Sequence, residues 1–506
     1  MLKTNNVSRL AHATGRGRLA AARCSALALC FAIGCGGGGA ERGGSGSAAT
    51  VGGQTVKTRS GQAVNVEAHN RWKEGVEAFT AAEKSGWNAD RCDKVSGTFE
   101  DAADANSKFA EALYMAGVAK ARCGKAEEAL AFYNKALRQN SKLCGARVGV
   151  GLDAMAHGSD SSAMREFQQS VKDDPQCTEG YVNMAVLQRK GGDAKEALNN
   201  LRRALAIDAQ YLPAFNEMAL LYLEQAADNK KMLDLAEVVC SQAQKINANY
   251  APVYNTWGLI DLRRDEIIAA SAKFQRALEL DPKMFEAHMN FGQITIGFRG
   301  YEDAKTAFTQ ALELQPKNFD ATIGLGVAYR GLEQNDKAEE LYNKAKGLAG
   351  NRPEPYYNLG VLYQDFRDGS TEQMKTAKEY YNTFLEKAGS DPRYAKAVDD
   401  IKRRCKPGTS GGKGGKSRGS VKCISGRLQN IDDYLQAMKD MAEMEKLQKK
   451  AEQQQKEAEA AAPPPEAAPP AEAAPPAEAA PPADAAPAAD PAAKPEDKPA
   501  GKKKGK

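Results

Sequence analysis

Small residues return at a fixed interval along the middle of the chain. Glycine or alanine stands at Gly117, Gly151, Ala185, Ala219, Gly258, Gly292, Gly326 and Gly360, spaced by 34 residues except for one step of 39. With each of these as position 8 of a unit, position 20 is always alanine: Ala129, Ala163, Ala197, Ala236, Ala270, Ala304, Ala338 and Ala377, allowing five-residue insertions in the fourth and eighth units. Position 24 carries Tyr133, Phe167, Leu201, Cys240, Phe274, Phe308, Tyr342 and Tyr381, and position 32 carries Pro175, Pro282 and Pro316. A period of this length marks a stack of supersecondary units, each burying its apolar face on the next. Small residues at 8 and 20 let two segments of a unit approach closely, and the large residue at 24 fills the gap between them. Proline at 32 ends a helix, because it offers no backbone N–H and clashes with the preceding turn.

The pattern is plainest in "YNTWGLIDLRRDEIIAASAKFQRALELDP" and resembles the tetratricopeptide repeat (TPR). The resemblance implies an all-α TPR solenoid, a right-handed superhelix of helix pairs with eight units over residues 110–391. Residues 66–109 read as a degenerate N-terminal repeat with a long insertion between its helices that holds Trp87 and Cys92; 392–427 read as a capping helix and a Cys-flanked basic loop. Terminal repeats are expected to be atypical, since one side has no neighbour. In this family, helix-A positions 2, 5, 9 and 12 tend to face a groove. Carried over, they give Val182, Val186, Leu220, Leu223, Leu259, Leu262, Met289, Ile296, Ile323, Val327, Tyr357 and Val361, with Asn216 and Asn255 among them. Aliphatic side chains flanking amides would hold an extended or helical segment of another protein. The alternative is that these residues pack on the adjacent helix.

The N-terminus changes the setting. Lys3, Arg9, Arg16, Arg18 and Arg23 precede an apolar stretch at 25–33, and no acid occurs before Glu41. This is the layout of a signal peptide, and the stretch falls well short of the roughly 20 residues a spanning helix needs. Ala32, Ile33, Gly34 and Cys35 resemble a bacterial lipobox. That resemblance implies a signal peptide over 1–34, acylation of Cys35 and, with Gly36 next, sorting to the periplasmic face of the outer membrane. An ordinary secretory signal with a chance cysteine is the alternative. The Gly/Ser-rich residues that follow make 35–65 a flexible tether.

Export permits disulfides. With the signal removed and Cys35 acylated, seven cysteines remain, an odd number. Cys240 occupies position 24, where a free thiol acts as a small hydrophobe. The repeat frame puts Cys144 and Cys177 at the start of consecutive A helices, and Cys92 and Cys123 on the opposite edge. Cys405 and Cys423 flank a glycine-rich basic loop. The expected disulfides are therefore 92–123, 144–177 and 405–423, the alternative being reduced thiols that merely pack.

Little else suggests chemistry. The chain has 506 residues with a formal net charge of +5, and neither a basic stripe nor an aromatic platform points to nucleic acid. "GGKGGKS" lacks the glycine five before Gly415 that a phosphate loop needs, Ser410 standing there. His69, His157 and His288 are far apart in the repeat frame, and no HExxH, GxSxG or zinc-spaced cysteine set occurs. No catalytic residue, metal or cofactor is expected. Residues 428–462 read as one helix with a short seam of Ile431, Tyr434, Leu435, Met438, Met441 and Ala442; 463–506 form a Pro/Ala/Glu/Lys tail expected to be disordered. The layout resembles the TPR lipoproteins of the bacterial envelope, the myxobacterial gliding-motility type above all. It implies a scaffold at the outer membrane that binds envelope proteins through its groove. A pilotin-like secretin assembly factor is an alternative. So is a peptidoglycan-associated factor binding through the basic loop and tail.

Overall fold

The computed structural model describes residues 55–57, 63–403 and 426–461. Within them, helices follow one another in antiparallel pairs. The first pair is α1 (Val66–Ser85) with α2 (Ala89–Ala105), followed by α3 (Ala110–Arg122) with α4 (Ala126–Gln139) and α5 (Cys144–Ala156) with α6 (Asp160–Asp173). Next come α7 (Thr178–Lys190) with α8 (Ala194–Ile207), α9 (Leu212–Gln225) with α10 (Met232–Ile246) and α11 (Ala251–Arg263) with α12 (Ile267–Leu280). The series continues with α13 (Phe285–Gly297) and α14 (Tyr301–Leu314), α15 (Phe319–Gly331) and α16 (Asn335–Leu348), and α17 (Glu354–Asp365) and α18 (Thr371–Ala388). A short α19 (Ala395–Lys402) and a long α20 (Arg427–Ala461) follow.

Close approach within each pair comes from the complementarity of positions 8 and 24. A Cβ built on Gly258 would stand 2.6 Å from the Phe274 ring, and one on Gly326 2.6 Å from the Tyr342 ring. The six units with glycine at position 8 all carry Phe or Tyr at 24; the two with alanine, Ala185 and Ala219, carry Leu201 and Cys240. A methyl on one helix is matched by a smaller side chain on the other. All eight position-24 side chains are buried, as is every position-20 alanine.

The turn between helices has its own requirement. At position 15 the backbone takes positive φ, supplied by Gly124, Gly158 and Gly192 in the first three units but by Asp265 (φ 67°), Arg299 (φ 61°) and Glu333 (φ 60°) in the fifth to seventh. The insertion of the fourth unit lengthens the α9–α10 link, whereas that of the eighth is partly absorbed as extra helix in the 18-residue α18.

Two expectations need correction. The first unit has no long insertion: only 86–88 separate α1 from α2, and Cys92 lies within α2. Asn88 starts that helix early by accepting a hydrogen bond from the Arg91 N–H at 2.8 Å, the side-chain cap that opens a helix. Trp87, in the link, packs its ring on Phe79 at 5.1 Å. The tether also ends sooner than residue 65, because β1 (Thr55–Lys57) pairs antiparallel with β2 (Ala63–Asn65). Val64 is fully buried there and Asn65 caps α1. Cys35, Cys405, Cys423 and the tail 463–506 lie outside the described residues.

At the other end, α19 and the start of α20 supply a terminal pair of helices. Arg427 pairs with Asp365 at 2.8 Å and Asp400 at 2.9 Å, while Ile431 is buried beside Leu428 and Leu435. The Tyr434 hydroxyl donates to the Gly369 carbonyl at 2.7 Å. Residues up to Met438 belong to the stack. From Lys439 onward the helix is a unit of its own in which Met441, Met444 and Leu447 are exposed. No described helix is long and apolar enough to cross a membrane.

Candidate functional site

A helices touch one another as well as their own partners: α5 meets α7, α7 meets α9, α9 meets α11, α13 meets α15 and α15 meets α17, and the Asn255–Asn290 bond joins α11 to α13. This row of A helices forms the face on which the groove residues were expected. Nine of them are half-buried: Val186, Leu220, Leu259, Leu262, Met289, Ile296, Ile323, Val327 and Tyr357. Val182, Leu223 and Val361 are instead core residues.

The amides are linked from unit to unit. Asn216 Oδ1 accepts from the Thr256 hydroxyl at 2.7 Å, and Asn255 Oδ1 accepts from the Asn290 amide at 2.9 Å. Asn255 is buried, whereas Asn216 and Asn290 are half-buried. The ladder fixes side-chain orientation across the fourth, fifth and sixth units. These bonds use the Asn216 Oδ1 and the Asn290 N–H, not the Asn216 N–H groups or the Asn290 carbonyl oxygen.

Sequence reasoning missed the polar residues at position 6 of helix A. Asn183, Glu217, Thr256, Asn290 and Asn358 share that position. Glu217 pairs with Arg189 of the preceding unit at 3.0 Å, and Arg189 also bonds Glu224. Arg330 donates to Asn358 Oδ1 at 3.0 Å and lies 5.5 Å from the centre of the Phe366 ring. The signal was present as a column of polar residues in the repeat frame.

The far end of the face is closed. The Tyr357 hydroxyl donates to Asp400 of α19 at 3.4 Å, and its ring packs 5.4 Å from that of Phe384. Burial raises the Tyr357 hydroxyl pKa. Tyr357 thus belongs to the terminal cap, and the open part of the face runs from α7 to α15.

The cysteines fall as follows. Cys92 and Cys123 are disulfide-bonded with Cα atoms 6.2 Å apart, and Cys144 and Cys177 with Cα atoms 5.7 Å apart. Cys240 is a free, buried thiol whose pKa burial pushes up to about 12. His288 is buried, with Nε2 2.8 Å from the Pro282 carbonyl oxygen, the bonding of a structural histidine rather than a reactive one.

Comparison with known proteins places these features. Residues 96–143 and 296–353 match the family model described as tetratricopeptide repeat. The human mitochondrial import receptor subunit TOM70 is 28% identical over 202 residues, covering 38% of this chain and 32% of that protein. Human superkiller complex protein 3 is 25% identical over 199 residues, 31% of this chain and 13% of its own. The chain therefore spans a third or less of the length of these relatives. Among solved structures, yeast Tom70 superposes with a TM-score of 0.41 at 17% identity, covering 66% of this chain and 67% of the other. The family match shows tetratricopeptide repeats at residues 96–143 and 296–353, and the helix pairs described above continue the same unit as a TPR solenoid, the architecture of a protein-interaction scaffold.

Proposed function

We propose that the chain is a non-catalytic adaptor held at the periplasmic face of the outer membrane through acylated Cys35. There it gathers proteins of a multiprotein envelope machine of the gliding-motility kind. The observation that carries the binding reading is the A-helix face from α7 to α15, where half-buried aliphatic side chains run beside a ladder of bonded amides. Half-buried aliphatics give a partner apolar surface to cover, and pre-oriented amides bond its backbone at little entropic cost. The envelope setting rests on the N-terminal pattern of basic residues, apolar stretch and Ala32-Ile33-Gly34-Cys35.

Photo-crosslinking in intact cells tests both parts. A benzophenone side chain placed at Val186, Leu259 or Ile323 is expected to capture envelope proteins. One at Val238, which is 64% exposed on a B helix, is expected to capture none of them. Equal capture from the two faces, or none from the A-helix face, would refute the groove. Capture of a single secretin would favour a pilotin-like role, and capture of peptidoglycan fragments alone a wall-binding one.

A further inference from the structure

Cys144, Cys177 and Glu179 meet at one corner of the stack, where two A helices begin. Cys144 is the first residue of α5, Cys177 is the N-cap of α7, and Glu179 follows in the first turn of α7. Their ligand atoms all lie within 4.8 Å of one another, with Glu179 Oε2 3.6 Å from Cys144 Sγ. Glu179 is half-buried, and the charged side chains that bear on it are themselves acids, Asp174 and Asp208.

We propose that, in its dithiol form, this corner is a zinc site whose ligands are the Cys144 and Cys177 thiolates and the Glu179 carboxylate. Zinc holds sulfur at about 2.3 Å and carboxylate oxygen at about 2.0–2.2 Å in a tetrahedron, so a sulfur and an oxygen on one ion stand about 3.5 Å apart. The Cys144–Glu179 separation is 3.6 Å. The two sulfurs need only relax from bonded contact to about 3.8 Å, the matching sulfur–sulfur edge. Both cysteines sit at helix N-termini, where the macrodipole favours the thiolate that a metal requires. The fourth position is left to water.

Disulfide and metal exclude one another at this corner. A thiol reductant attacks one sulfur, the Cys144–Cys177 bond breaks, and a second reductant thiol completes the exchange. Two R–SH become R–S–S–R, and the protein gains two S–H groups. Zn²⁺ then displaces both thiol protons to solvent. Either state ties α5 to α7, so the third repeat stays fixed to the second whether the surroundings are oxidising or reducing. The pair Cys92 and Cys123 differs, because no third ligand joins it among the described residues and Cys123 lies at a helix C-terminus.

Cobalt substitution tests the site on the mature chain purified in a phosphine reductant. One equivalent of Co²⁺ is expected to give a sulfur-to-cobalt charge-transfer band that one equivalent of Zn²⁺ removes. The band should persist in a Cys92→Ser/Cys123→Ser variant, vanish in Cys144→Ser and in Cys177→Ser, and require at least tenfold more metal in Glu179→Gln. Circular dichroism identifies any variant that loses its helices, and Cys144→Ala gives a second route to the same loss. No band, a band that survives Cys144→Ser, or an unaltered affinity in Glu179→Gln overturns the proposal. So does a Cys144–Cys177 bond that the reductant cannot open in the folded protein, since the dithiol state would then not exist in this fold.

Discussion

Gly258 and Phe274 set the spacing of their helix pair, since any side chain at Gly258 must enter the volume of the ring. Overpacking of this kind costs about 1–3 kcal/mol. Gly258→Ala is therefore expected to destabilise by that amount in urea unfolding, and Phe274→Leu added to it to recover part of the loss, as Ala185 with Leu201 does naturally. Asp261 is a second residue whose burial has a measurable consequence. It is 3% exposed, Oδ2 has no partner among the described residues, and it lies near the C-terminal end of α11, where the macrodipole opposes a negative charge. Desolvation pushes its pKa up to about 6. A folded-state pKa above the unfolded value, near 4, means that the neutral acid suits the fold. Its stabilising contribution is complete below pH 4 and is lost as pH rises through 6. Asp261→Asn is expected to raise stability by roughly 2 kcal/mol at pH 8 and to leave it unaltered near pH 4, as thermal melts at both values would show.

At the scale of the element, the turn from helix A to helix B is the least uniform part of the repeat. Three glycines and three non-glycine residues adopt the same left-handed backbone, which disfavours an L-residue by about 1–2 kcal/mol but leaves glycine unpenalised. Arg299→Gly is expected to stabilise by about 0.5 kcal/mol, the relief of that cost less the extra entropy of glycine in the unfolded chain. A shift in urea midpoint at constant m-value would register it. The elements were legible in the sequence to different degrees. Eight helix pairs could be read because the spacing of Gly or Ala at 8, Ala at 20 and a large side chain at 24 follows from one packing geometry used repeatedly. The first unit was read less well, since "GWNADRCD" resembles an insertion until Asn88 is seen to cap α2. For the residues expected to line the groove, the sequence did not tell buried from half-buried one by one. Val182 and Val186 share a helix and a chemistry, yet one is core and the other half-exposed. The Asn255–Asn290 bond and the meeting of Cys144 with Glu179 join residues 35 positions apart. Only the pitch of the stack brings such pairs together, and periodicity alone does not state it.

For the whole molecule, the distribution of fixed points matters more than any single contact. Each repeat is held mainly by its neighbours, so stability is a sum of local terms along the stack. Among the described residues, both disulfides lie before residue 178, whereas the α7 to α15 face is held by packing, hydrogen bonds and ion pairs such as Arg189–Glu217. The terminal pair is fastened differently again, by Arg427 reaching Asp365, Asp400 and the Tyr381 hydroxyl. A stack of this kind is a spring. Its covalently stapled repeats come first in the chain, and the repeats without staples carry the bonded amides. Under a pull along its length the soft coils lengthen first, spreading the rungs Asn216–Thr256 and Asn255–Asn290 while the stapled repeats keep their pitch, so tension would act first on the surface offered to a partner.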